Sequence, residues 1–253
     1  MNNTLELSPS EYNKLISLEA EILELVASHE KTTTILQRLC YLAEEMLPNS
    51  VASIMLRDQH TGTLSILCAP SIPKEGHDAL KNLTPGPGGG SCGNAVYKNE
   101  PQFVTDTFND PRWEDIRDLA IDFNLCACWS MPIRDISKNA IGSFALSSFE
   151  HREPSNFHKK LLESASKITS IVLKNQATEQ KLKLFATAMK FANEGVIITD
   201  LNNKIIEMNA KFKEIYKYEE DELLGENPKI LSSGKNDKNL YKLVRKQSRL
   251  SHL

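Results

Sequence analysis

The stretch from Gly88 to Ser130, GGGSCGNAVYKNEPQFVTDTFNDPRWEDIRDLAIDFNLCACWS, constrains the fold of this chain more than any other. Leu83 to Gly90 carries two prolines and four glycines, which leaves no room for a regular element. A short helix is predicted from Ser91 or Cys92 through Lys98. Asn99-Glu100-Pro101 then turns the chain into a strand from Gln102 to Thr105. Asp110 can cap the next helix, and Pro111 suits its first position. That helix is expected to run to about Phe123, with Trp113, Ile116, Ala120 and Phe123 facing inward and Asn124 as a left-handed stop. Leu125 to Ile133 is a strand. Ala127, Trp129, Met131 and Ile133 share one of its faces, and Cys128 and Ser130 the other.

The flanks supply the remaining layers. Leu15, Leu18, Ile22 and Leu25 give the segment from Glu11 to Ser28 a helical seam, started by Ser10 or by Ser8-Pro9. The seam suits the chain's own core or a second copy equally well. A second helix spans Thr32 to Met46. VASIMLR (Val51 to Arg57) and TLSILCA (Thr63 to Ala69) form a hairpin, with His60 solvated at its tip. Pro70 to Lys81 is a loop leading to a short helical piece that could cover a cavity. IGSFALSSF (Ile141 to Phe149) pairs with the strand before it, and its Gly142 and Ser143 leave space for a close neighbour or a ligand.

A long helix then runs from Pro154 to about Asn193. Leu161, Ser164, Ile168, Ile171, Asn175, Thr178, Leu182, Phe185, Met189 and Ala192 repeat at heptad spacing, and Asn175 at an a position is a device for fixing register. This predicts a helical connector that pairs with a second copy. From Val196 the pattern changes to two short strands around Asp200-Leu201-Asn202-Asn203, followed by two helical pieces.

Composition excludes several classes. The formal charge of the 253 residues is -3, without the basic stripe of a nucleic-acid surface. No apolar run reaches the roughly 20 residues of a membrane span. The start, MNNTLELSPSEYNK, lacks the order of a secretory signal, so a cytoplasmic location is expected. The five cysteines are an odd number, expected as free thiols. Cys126-Ala127-Cys128 has the wrong spacing for a zinc site, and a strand would point the two thiols apart, so no metal is expected.

The order of elements from Thr32 to Leu173, with GSCGNAVYKNEPQFVTD, DPRW, CACWSMPI and IGSFAL, resembles a GAF domain. The subtype is the one placed ahead of PAS and cyclic-di-GMP enzyme domains or histidine kinases in bacterial signalling proteins. The segment Phe191 to Leu231 is similar to the first half of a PAS domain, and a whole one needs three more strands. Such a half-domain would leave an edge exposed, and poor order or repair by a partner chain is expected of the tail. The resemblance implies an α/β (α+β) fold with a central antiparallel sheet of about five to six strands. It implies an N-terminal helix over 1–30, a GAF domain over 31–175, a connector over 154–193 and an incomplete PAS domain over 194–253. The implied function is a sensory module that binds an unidentified small molecule. It would pass occupancy through a homodimer of the N-terminal and connector helices to an output domain, with no catalysis of its own.

The backbones of Cys92, Gly93 and Asn94, beside the glycine run, are the expected ligand wall, since a helix start offers free N–H groups. Asp106, Arg112, Trp113, Trp129 and Ser130 complete the expected site. The plainer alternatives are a cap for Asp110, an ion pair for Arg112 and a core position for Trp129. The free methionine sulfoxide reductases are GAF-like enzymes with a similar Gly-x-Cys-Gly, which makes a thiol enzyme using Cys92 the alternative. Their later cysteine setting is replaced here by Asp-Pro-Arg-Trp. No cofactor is specified: a bilin would need a His motif that is absent. A haem would need an axial ligand, and none of His29, His60, His77, His151 or His158 falls in the pocket stretch.

Overall fold

A computed structural model of the chain describes residues 7–231. They form two compact units that divide between Thr178 and Glu179. The first is built on a five-stranded antiparallel sheet of order β2-β1-β5-β4-β3, from β1 (Ser50–Arg57), β2 (Leu64–Cys68), β3 (Gln102–Val104), β4 (Ala127–Arg134) and β5 (Ala140–Ser148). The hydrophobic alternation decides which side is which. Ile54, Trp129, Met131, Ile133, Phe144 and Leu146 face a layer of helices: α1 (Pro9–Ala27), α2 (Thr32–Met46) and α6 (Asn156–Phe191). On the opposite face the central strands carry short side chains, with Met55 and Leu64 on the strands beside them, and this face lies under a cap made of α3 (Lys74–Ala79), α4 (Gly90–Lys98), a 3-10 helix (Pro111–Ile116) and α5 (Arg117–Asp122).

Local chemistry sets the element ends. Ser8 starts α1 through a capping box: its hydroxyl accepts from the Glu11 amide, and the Glu11 carboxylate accepts from the Ser8 amide at 2.8 Å. Asn124 takes the left-handed conformation (φ 51°) that stops α5. The single helix expected from Asp110 to Phe123 is instead a 3-10 turn followed by α5. Its Asp115 amide donates to Gly88 O at 3.2 Å, so the glycine run takes a hydrogen bond that an α-helical ladder would need.

The seam of α1 lies within its own unit, with Leu15, Leu18 and Ile22 buried against α2 and the sheet. The same holds for the start of the heptad series in α6, where Leu161 and Ile168 are buried core residues. Their burial leaves only the later positions open to a partner, since Ile171, Leu182 and Phe185 are exposed. Gly142 is required by a close neighbour: a Cβ there would stand 2.2 Å from the Met55 carbonyl oxygen of the adjacent strand.

The second unit contains the hairpin β6 (Ile197–Thr199) and β7 (Ile205–Met208), then α7 (Ala210–Tyr216) and α8 (Glu220–Leu223). Ile205, Met208, Phe212 and Leu223 form its core. Asn209 is buried and fully used. Its Oδ1 accepts from the Val196 and Phe212 amides, and its Nδ2 donates to the Met189 and Glu194 carbonyls. The expectation for the final stretch, Ser248 to Leu253, lies outside the described residues.

Candidate functional site

At its centre the cap-side face of the sheet is a lattice of small side chains. Cross-strand pairing sets Ser53 beside Ala145 and Ala145 beside Ser130, and sets Ser147 beside Cys128. The first turn of α4 sits on this lattice and is pinned there by Ser91, which is fully buried. Its hydroxyl donates to the Cys128 carbonyl at 2.8 Å and accepts from the Trp113 indole N–H at 3.1 Å. One hydroxyl therefore ties α4, the 3-10 helix and β4 together.

Cys92, one residue on, lies against the same lattice. Ser130 Oγ donates to its sulfur at 3.7 Å, and Ser147 Oγ donates to the Cys128 sulfur at 3.4 Å. The Cys128 thiol leads the groups that hold Cys92 below the ordinary thiol range, down to about 7, with the Ser143 and Ser130 hydroxyls adding to it. Cys128, completely enclosed and giving its proton toward Cys92, is pushed well up. The alkylation rate of Cys92 by iodoacetamide should rise through a midpoint near pH 7, the thiolate being the nucleophile. Cys126, raised by burial, should still be unreactive there. Peptide mass spectrometry after timed quenching measures both; equal midpoints would refute the Cys92 environment described here.

At the other end of the cap, between α3 and α5, lies an apolar cavity of about 60 Å³. Ile72, Pro73, Leu80, Leu119, Phe123 and Leu125 line it, with Val51 and Phe149 at the sheet. Such a space is large enough for more than one water yet offers almost no polar partners, a condition that keeps cavities dry.

The expected site residues divide on this geometry. Cys92 and Ser130 meet. Gly93 is buried, and a Cβ added there would be in ordinary contact with Thr84 O, at 3.4 Å. Asn94 is fully buried and its amide nitrogen bonds Pro87 O, Gly90 O and Arg112 O, leaving only Oδ1 without a partner. Trp113 is a core residue of the cap. Arg112 is clamped by Asp110 through bonds of 2.9 and 2.6 Å and reaches Gln102 at 3.2 Å. The Arg112 guanidinium in turn holds the Asp110 carboxyl below its usual range. Asp106 is on the exposed loop, bonded to Asn109 and the Phe108 amide, away from the cap-side cluster. Trp129 is buried on the helix side of the sheet, tilted over His158 with ring centroids 5.4 Å apart.

The glycine run is closed by its own chain. A Cβ on Gly89 would meet Thr84 O at 2.6 Å, and Gly90 has φ 68° with Ile116 Cδ1 at 2.6 Å from an added Cβ. Sequence reasoning missed Ser143, Ser147 and Cys128 as one cluster. The alternation of Ser143, Ala145 and Ser147 in β5 was the available signal. The cavity lining comes from four separated segments, of which the sequence singled out only Pro70 to Lys81 as a cover for a cavity.

A match to the GAF domain family covers residues 29–174, more than half of the sequence. The chain belongs to the GAF domain family. A match to the PAS fold follows over residues 183–252. Among curated proteins it resembles the methyl sulfide methyltransferase-associated sensor of Methanosarcina acetivorans, at 24% identity over 81% of this chain. The chain spans 22% of that relative's length. Among solved structures, the GAF domain of an Acinetobacter phosphoenolpyruvate-protein phosphotransferase superposes with a TM-score of 0.55 at 14% identity, covering 68% of this chain and 97% of that one. A GAF sensor protein from Burkholderia vietnamiensis gives 0.52 at 17%, covering 63% and 93%. The fRMsr of Staphylococcus aureus in its reduced form gives 0.50 at 20%, covering 63% and 94%. These likenesses establish the fold alone.

Proposed function

We propose that this chain is the sensory input of a cytoplasmic signal-transduction protein, and that its GAF unit takes a small apolar guest between the cap and the sheet. The cavity between α3 and α5 carries this reading. Its lining is apolar, its volume suits a guest of a few heavy atoms, and its walls belong to short helices that can shift without breaking the sheet. Occupancy would favour one arrangement of the cap, and the sheet would pass the change to α6. The exposed Ile171, Leu182 and Phe185 support pairing of α6 with a second copy, and through it control of an output domain. A cyclic-di-GMP enzyme or a histidine kinase fits that role. The match to a protein named as a sensor supports the same reading.

Xenon is a suitable probe for the test, since it enters dry apolar cavities. Under xenon pressure, methyl resonances of Val51, Ile72, Leu119 and Leu125 should shift, those of Ile197 and Ile205 should not, and hydrogen exchange of the α6 amides should change. Methyl shifts without any change in α6 would overturn the relay, and absence of both would overturn the guest site. A second reading, favoured by the donors around the Cys92 sulfur, is reduction of free methionine sulfoxide. An assay of the protein and of its Cys92→Ser variant decides it.

A further inference from the structure

We propose that Cys92 and Cys128 form a peroxide-sensitive dithiol switch, in which Cys92 is oxidised first and Cys128 resolves it to a disulfide that locks the start of α4 onto β4. The proposal does not rest on the guest cavity, although Leu119, Phe123 and Leu125 of its lining belong to the same packed cluster as the two cysteines. It rests on the grouping of the two sulfurs. Both belong to one packed cluster beneath the cap, with Cys128 buried in it and Cys92 packed against it. Ser91, adjacent to Cys92, is hydrogen-bonded to the backbone carbonyl of Cys128 itself, so the two residues are held at the same point of the helix–strand contact.

The hydroxyl donors around this pair suit the chemistry. Ser130 Oγ donates to the Cys92 sulfur, and the fully buried Ser143 hydroxyl adds to the lowering of the same thiol. Cys92 also sits in the first turn of α4, where backbone N–H groups favour a thiolate. Of the five free cysteines it is the one whose residue is only partly buried, so it is the first that a small hydroperoxide would approach.

The Cys92 thiolate attacks the outer oxygen of the hydroperoxide. The O–O bond breaks, an alcohol or water leaves after taking up a proton, and sulfur becomes sulfenic acid. Cys128 then attacks that sulfur: the S–S bond forms, the S–O bond breaks, and the Cys128 proton leaves with the hydroxyl as water. Two thiols are oxidised by two electrons and one peroxide is reduced. Cys40 and Cys68 also lie in contact, and the Cys40 thiol lowers Cys68, but both are sealed in the helix-side core without a hydroxyl array.

The test uses the full chain and one equivalent of hydrogen peroxide. Free thiols, counted after denaturation, should fall from five to three. Trypsin should release the segment Asn82–Lys98 linked to Asp118–Arg134, with fragmentation placing the bond at Cys128 and not Cys126. Dithiothreitol should restore all five. In the Cys128→Ser variant, dimedone should label Cys92 as the trapped sulfenic acid. A count that stays at five, a bond to Cys126, oxidation of Cys40 and Cys68 first, or no dimedone adduct at Cys92 would each overturn the proposal.

Discussion

Replacing Trp129 by Ala should lower the unfolding free energy of the GAF unit by about 3–5 kcal/mol, the range for emptying a large aromatic site in a packed core. Trp129 is among the largest fully buried side chains, and it stands in β4 between Phe103 and Leu146 of the neighbouring strands. On the helix side it packs beside His158 of α6. The loss should shift the urea midpoint by roughly 2 M for a slope near 2 kcal/mol per M. Trp113 then remains as the lone tryptophan reporter, because the chain has two. Trp129→Phe should lose far less. The indole N–H has no partner in the core, so its removal also removes an unsatisfied buried donor. Equal losses for Ala and Phe would show that cavity formation is not the cause.

Ser91→Ala should cost roughly 2–4 kcal/mol, a large effect for the loss of one oxygen atom. Two bonds disappear, and the Trp113 N–H is left buried without an acceptor. The distinctive expectation lies in the double variant. With Trp113→Phe already in place the donor is gone, and Ser91→Ala should then cost only about 1 kcal/mol. Urea unfolding of the four proteins in the cycle, followed by far-ultraviolet circular dichroism, measures the coupling. Additive losses would mean that Ser91 acts only on the Cys128 carbonyl.

Much of the architecture was legible because it is local. The alternation in β4 assigns Trp129 to one face and Cys128 with Ser130 to the other, and the sheet keeps that division. Asp110-Pro111 and Asn124 mark real ends. The site was less legible. Asp106, Arg112 and Trp113 sit near the glycine run in sequence, but their side chains are engaged by Asn109, Asp110 and Ser91. Proximity along the chain does not say which bonds a polar side chain has already made. The heptad in α6 is genuine as a pattern, yet Leu161 and Ile168 are used by the unit's own core. A 3.5-residue spacing describes a helix face and not the surface that covers it.

The sequence by itself determined the order of most elements and the two-faced character of the central strands, because these follow from periodicity, capping chemistry and turn residues read over short windows; the family was legible through the resemblance of motifs such as GSCGNAVYKNEPQFVTD and CACWSMPI. Only the tertiary structure decided that the glycine run is closed by Thr84 and Ile116, that Cys92 packs with Cys128 and takes a hydrogen bond from Ser130, and that an apolar cavity lies between α3 and α5. Each of those facts joins segments far apart in the chain. Packing chooses among such contacts through volume and hydrogen-bond satisfaction summed over the whole core, and no local window of residues contains that sum.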